Sequence, residues 1–207
     1  MTRRFILASS SPRRRELLAR LGIDFDIIKP DVDETRHPGE DPFDYAARLS
    51  RTKAEIVAQQ ARSDAAVLAA DTVVVLAADT VGVMDDAPGE ILGKPADADE
   101  ARAMLRRLRG RAHTVCTAFT LRINGGGPGQ TVTHLERTLV YMRAYTDAEI
   151  DAYIATGDPF DKAGSYAIQH EGFHPVDRIE GDYDNVVGLP LAAVRGALVE
   201  LDWPVGS

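Results

Sequence analysis

The chain has 207 residues, 44% of them hydrophobic, and a formal net charge of -8; that length allows one large domain or two small ones burying roughly 70% of the surface of the unfolded chain. The acidic balance excludes a surface built to coat nucleic acid or to hold anionic membranes, so any phosphate site has to be a local basic cluster. A single cysteine, Cys116, permits no intrachain disulfide and fits a reducing cytoplasm, and no stretch reaches the roughly 18 apolar residues of a membrane span or forms a signal-peptide core.

The first predicted element is a short strand, Phe5-Ile6-Leu7-Ala8, that runs into Ser9-Ser10-Ser11-Pro12-Arg13-Arg14-Arg15-Glu16. Ser11 is placed to cap a helix, Pro12 suits its first position, and Leu17, Leu18 and Leu21 supply an apolar face that Gly22 closes. Arg14 at the third helical position leaves no capping box. Arginines in a first turn oppose the helix dipole, a cost that a bound anion would offset. The segment is either a phosphate grip or a solvated basic turn.

Phe25–Ile28 reads as a strand and Asp31–Thr35 as the acidic loop leaving it; Asp41-Pro42 opens a second helix running to about Ala61. Ala65 to Leu76 is an apolar, valine-rich run, as in a strand covered on both faces, interrupted by Asp71-Thr72. The segment Ala69–Leu76 is then nearly duplicated as Ala77–Met84, which reads as a lengthened strand or a hairpin tip and leaves open which aspartate, Asp71 or Asp79, carries chemistry. A helix from Asp97 to Arg109 has a capping-box spacing at Asp97 and Glu100 and stops at Gly110. His113–Ile123 and Thr131–Met142 alternate as a hairpin joined by a glycine-rich loop, and Thr146 with Glu149 caps a short helix ended by Gly157. A polar loop from Asp158 to Gln169, a strand near Val176–Ile179 and a last helix from Pro190 complete the chain. The pattern predicts a single mixed α/β domain over 1–207, since no Pro, Gly or Ser linker divides it.

Asp71 stands out because a carboxylate among valines and alanines is costly to bury unless a cation or donors meet it. Glu34, in the early acidic loop, is the second candidate; two hard oxygen ligands plus substrate phosphates are a usual way to hold Mg²⁺. Lys53 falls inside the apolar stripe Ala46, Leu49, Ile56, Val57, so it either reaches inward or snorkels at the edge. Lys94, in Leu92-Gly93-Lys94-Pro95, sits at a turn that suits a phosphate contact or an ordinary surface charge. The glycine loop is followed by a strand and so is no dinucleotide cradle, Gly172 and Pro175 break any helix that would align His170 with His174, and no nucleophile elbow accompanies a triad.

These pieces together resemble the Maf family of nucleoside triphosphate pyrophosphatases. The resemblance is carried by Leu7–Arg14, Asp33-Glu34, the Lys53 helix, Ala70–Val73, Leu92–Pro95, Asp161–Gln169, Ile179–Tyr183 and Val186–Leu191. It implies a strongly twisted mixed sheet flanked by helices around a central cleft, similar to the inosine triphosphate pyrophosphatases, and a homodimer in the cytoplasm with no nucleic-acid or membrane partner. It implies hydrolysis between the α- and β-phosphates, with Asp71 as proton acceptor and with Asp71 and Glu34 sharing a divalent cation, Mg²⁺ or Mn²⁺. Ser9, Arg13, Arg14, Lys53 and Lys94 would line the triphosphate site. The Asp161–Gln169 segment is similar to members acting on dTTP and UTP, in which Arg13, Thr72 and Gln169 are the specificity positions. The alternatives are a 7-methyl-GTP pyrophosphatase and a non-catalytic nucleotide-binding regulator of cell division.

Overall fold

The computed structural model describes residues 3–63, 72–84, 89–125 and 127–205. Among them the elements follow in the order β1 (Arg3–Leu7), α1 (Pro12–Ala19), β2 (Asp26–Ile27), α2 (Pro42–Ser63), β3 (Thr72–Met84), β4 (Ile91–Leu92), α3 (Ala98–Leu108), β5 (Ala112–Gly125), β6 (Gly127–Met142) and α4 (Asp147–Ile154). Two 3-10 turns (Asp158–Asp161 and Ala163–Ser165), β7 (Val176–Glu180), α5 (Tyr183–Val187) and α6 (Leu191–Glu200) complete the list of elements. The sheet runs β2-β1-β3-β5-β6-β7, with β4 on β3. It is mixed: β1 is parallel to β2 and β3, whereas β4 and β7 are antiparallel to β3 and β6. The α/β class expected from the sequence is the one observed. No helix among the described residues is long and apolar enough to cross a membrane.

The chain divides into two compact units, Met1–Asp79 with Thr117–Glu136 and Gly188–Ser207, and Thr80–Cys116 with Arg137–Val187. In the first, α2 starts where Asp41 Oδ1 accepts the backbone N–H groups of Phe43 (2.8 Å) and Asp44 (3.3 Å), satisfying donors that a helix start leaves free. Its apolar stripe then buries Ala54, Val57, Ala58 and Ala61 against Ile6, Ala8, Val73, Val75 and Ala77 of the sheet. A buried hydroxyl chain, Ser50 to Thr120 (2.8 Å) to Thr133 (3.0 Å), pairs polar groups that would otherwise be stranded in the interior. Trp203, after α6, packs edge-on against Phe5.

In the second unit α3 and α4 bury Leu105, Leu108, Ile150 and Tyr153 in a core with Val115, Val140, Met142 and Phe173. The expected capping box of α4 is present, with Glu149 N–H on Thr146 Oγ1 and Thr146 N–H on Glu149 Oε2. At α3 Asp97 caps as expected, but Glu100 returns its bond to Ala96 N–H instead of Asp97 N–H, so no reciprocal box forms. Gly181, with φ +130°, passes so close to Thr138 that a Cβ there would lie 2.9 Å from its Oγ1 and 3.1 Å from its Cα; only glycine fits.

One strand differs from expectation. The described strand is Thr72–Met84, paired with β1 from Arg3↔Thr72 to Leu7↔Leu76; residues 65–71 lie outside the described residues. The second repeat, Ala77–Met84, therefore lengthens β3 and is not a hairpin tip, because Val81 and Val83 continue its buried positions. Two short elements, β4 and α5, had no signal strong enough to predict.

Candidate active site

β1 and β3 are parallel, and β1 ends level with Leu76, so the chain leaves β1 at the carboxyl side of the pair, where open α/β sheets bind ligands, while β3 runs on to Met84. Leu7 is level with Leu76, and Ala8 N–H still donates to Leu76 O at 2.8 Å. The chain then leaves β1 through Ser9, which is buried and whose Oγ accepts Ser11 N–H at 3.1 Å. Ser11 in turn caps α1 by accepting Arg14 N–H at 3.4 Å, as its position predicted. On β3 the odd-numbered Val73, Val75 and Ala77 face α2. Strand alternation puts Asp79 on that same face, just beyond the paired residues and toward Lys53 of α2.

Asp79 is 9% exposed and Lys53 6%. Lys53 Nζ donates to Asp79 Oδ1 at 2.7 Å and lies 2.8 Å from Glu34 Oε1. One ammonium thus joins a buried carboxylate to one on a 57% exposed side chain. Burial pushes the Asp79 carboxyl above its ordinary value, and the charges of Lys53 and Arg14 oppose that rise without cancelling it. Such a carboxylate is more basic than one in water.

The loop carrying Glu34 is fixed from α2. Tyr45 OH donates to Glu34 O at 2.8 Å, and Arg48 holds Thr35 O at 3.1 Å while forking onto both oxygens of Glu40 at 2.6 and 2.9 Å. That fork draws the Glu40 carboxyl down to about 2. Arg36 closes the loop on Glu40 O. Sequence reasoning did not single out Tyr45, Arg48 or Glu40; their signal was the i, i+3 placement of Tyr45 and Arg48 on one helix face, after an acidic loop.

Arg14 is half-buried and spans two backbone carbonyls: Nε donates to Gly188 O and Nη1 to Ala78 O, both at 2.9 Å. Burial lowers its guanidinium from the ordinary value, and Asp79 opposes that. The residue expected to line the phosphate site is therefore also tied to the peptide that carries Asp79. Arg13, half-buried on the same turn, stays beside it.

Asp71 lies outside the described residues. Its neighbour Thr72 is level with Arg3, at the far end of β1 from Ser9; at about 3.3 Å per residue that is roughly 23 Å along the strand from Asp79. Lys53, Glu34, Ser9 and Arg14 therefore gather with Asp79, the second aspartate of the duplication. In the second unit, Lys94 and Gln169 are both exposed, Lys94 in the connection between β4 and α3 and Gln169 at a turn. Gly164 N–H donates to Gly93 O at 3.0 Å, which ties the segment leading to Gln169 to the connection that holds Lys94.

Among the described residues no three His, Cys, Asp or Glu side chains are arranged to hold a metal by themselves. Asp79 and Glu34 are two carboxylates converging on one cation, a hard-oxygen donor pair that suits Mg²⁺ or Mn²⁺ when substrate phosphates supply further ligands.

Residues 4–201 match the family described as Maf-like protein. The chain is 46% identical over 205 residues to a protein of Anaeromyxobacter dehalogenans named dTTP/UTP pyrophosphatase, covering 99% of this chain and 97% of that one. It is 47% identical over 193 residues to one of Geotalea uraniireducens with the same name, at 93% and 92% coverage. A Chromobacterium violaceum protein, also named dTTP/UTP pyrophosphatase, is 43% identical over 201 residues, at 95% and 94% coverage.

Proposed function

The chain belongs to the Maf family, and on that ground we propose that it hydrolyses dTTP and UTP to the monophosphate and pyrophosphate. The observation that carries the reading is the buried Asp79 joined through Lys53 to Glu34, on β3 just past its last pairing with β1, with Arg14 bonded to the adjoining Ala78 carbonyl. A carboxylate raised by burial is a competent proton acceptor for water, and general-base catalysis by such a group contributes about 10²–10⁴-fold. In the reading, Asp79 takes a proton as water attacks the α-phosphorus; the bond from that phosphorus to the α,β-bridging oxygen breaks and pyrophosphate leaves. Lys53 and the Ser9–Arg14 turn meet the phosphate charge, which is where preorganised cations act most strongly; the family resemblance gives Lys94 a phosphate-binding role as well. Glu34 and Asp79 would hold Mg²⁺ or Mn²⁺, which when bound neutralises charge on the leaving group.

The catalytic assignment thus moves from Asp71 to Asp79, and the threonine that follows it moves from Thr72 to Thr80. Gln169 and Arg13 keep the base-reading role: an amide both donates and accepts, as a pyrimidine edge requires. A cytoplasmic homodimer completes the proposal, in keeping with the single buried Cys116; light scattering of the purified chain checks the dimer.

The test is pyrophosphate release across a nucleotide panel with Mg²⁺ and Mn²⁺. The expected result is a preference for dTTP and UTP over ATP and GTP of at least roughly tenfold in kcat/KM, since an unmatched base leaves buried polar groups unpaired. Preference for 7-methyl-GTP would move the chain to another branch, and tight nucleotide binding with no release would make it a binding regulator.

A further inference from the structure

We infer that Lys162, Asp158 and Tyr153 form a relay that positions the backbone leading to Gln169, so that these residues set base discrimination without touching the base. The inference rests on the pyrimidine reading above. Lys162 is 8% exposed, although it sits in a loop expected to be polar, and its ammonium donates to Asp158 O (2.7 Å), Asp158 Oδ1 (2.8 Å) and Asp161 Oδ1 (2.6 Å). The other oxygen of Asp158 accepts Tyr153 OH at 2.6 Å, and that same phenol oxygen accepts Ala167 N–H at 3.1 Å. Ala167 is two residues before Gln169. The path from ammonium to carboxylate to phenol to backbone is continuous, and the Tyr153 ring is itself clamped by stacking on Phe173, centroids 4.5 Å apart.

Burial raises the Asp158 carboxyl, but the bonds from Lys162 and Tyr153 outweigh it and leave it below the ordinary range; the relay is therefore ionised and charge-assisted at neutral pH. Gly164 N–H on Gly93 O extends the same rigid segment to the connection that holds Lys94. A hydrogen-bonding side chain selects a base only if its backbone is held to within a fraction of an ångström. An exposed glutamine at a turn has no such support of its own.

Tyr153→Phe removes the phenol oxygen that joins Asp158 to Ala167 and keeps the ring on Phe173. The expected result is a fall of roughly tenfold in the dTTP-to-ATP ratio of kcat/KM, with ATP turnover within about threefold of wild type and the loss concentrated in dTTP. Asp158→Asn, which keeps the shape and removes the charge, should shift the ratio in the same direction. In a Gln169→Ala background, Tyr153→Phe should change the ratio by less than about twofold, since coupled residues are not additive. An unchanged ratio in Tyr153→Phe, an equal loss on both substrates, or full additivity with Gln169→Ala overturns the inference. Wild-type enzyme without a pyrimidine preference would instead overturn the reading beneath it, and that outcome is visible before any substitution is made.

Discussion

Two buried lysines in this molecule each hold two carboxylates and each draws an aspartate down, yet the two aspartates end on opposite sides of their ordinary value. Around Lys162 the acids come from its own turn, Asp158 and Asp161, and the ammonium also takes a backbone carbonyl. Asp158 ends below its ordinary value. Around Lys53 the acids come from distant elements, Glu34 from a loop and Asp79 from within β3, and Asp79 ends above its ordinary value because burial outweighs its cationic neighbours. The local cluster satisfies its charges and rigidifies a loop. The long-range cluster leaves a carboxylate under-compensated, which costs stability and makes it a base. The same residue types thus give a structural knot or a reactive site according to whether the fold or the local turn brings them together.

The sharpest way to break that contrast is Asp79→Asn against Asp71→Asn. Asp79→Asn is expected to lower turnover by on the order of 10³-fold, and Asp71→Asn to change it by less than about twofold. A carboxyl raised in the folded state stabilises fully below its unfolded pKa and loses that contribution as pH rises through the folded pKa. Asp79→Asn should therefore hold or raise Tm at neutral pH, as at sites where stability is traded for activity. A dead Asp71→Asn with a live Asp79→Asn would return the chemistry to the first copy of the duplication.

The same substitution made in both clusters gives a smaller but more discriminating effect. Lys53→Met should cost at least about tenfold in kcat/KM and move the acid limb of its pH profile upward, since the Lys53 charge pulls Asp79 down; Tm should fall at neutral pH, because the buried Asp79 carboxylate loses its nearest cation, and recover on acidification as Asp79 takes a proton. Lys162→Met should lower Tm without that loss of basal turnover: loss of a charge-assisted bond costs about 2 kcal/mol, or roughly 6 °C in a chain of this size. Because Asp158 is depressed in the folded state, that stability is present above its unfolded value, ordinarily 3.8, and is lost as pH falls through the lower folded value. The Tm gap between wild type and Lys162→Met should narrow accordingly on acidification. Equal losses of stability and activity in both variants would erase the distinction between knot and site.

Much of this was legible in the chain. The hairpin and the Thr146–Glu149 cap follow from periodicities and local bonds that a sequence displays directly, whereas the stripe around Lys53 left an inward and an edge position both open and burial decides for the first. The choice between Asp71 and Asp79 does not. The duplication is eight residues long, an even number, so it preserves strand alternation and either copy shows the same face to α2. Only the pairing of β3 with β1, Leu7 beside Leu76, decides which copy reaches the Ser9 end, and register is a long-range property. The role of Lys162 was hidden for another reason: a lysine that follows two aspartates in a polar segment reads as a solvated loop, and its burial and its three bonds to Asp158 and Asp161 exist only in the folded chain.

The smallest expected effect lies inside the knot. Ser165 is fully buried with φ +61°, the left-handed region that costs a non-glycine residue about 1 kcal/mol or more. Its amide donates to Lys162 O at 3.1 Å and its hydroxyl to Met104 Sδ at 3.1 Å. Both Ser165→Ala and Ser165→Gly delete the hydroxyl contact, so that loss cancels between them. Alanine keeps the backbone cost, whereas glycine relieves it and gives back part of the gain as unfolded-chain entropy, about 0.4–1 kcal/mol. Glycine should therefore be the more stable of the two by roughly 0.5 kcal/mol in urea unfolding. Alanine equal to or above glycine would mean that the turn after Lys162 is not held in the left-handed region by the bonds around it, and that the knot is looser than the relay to Gln169 requires.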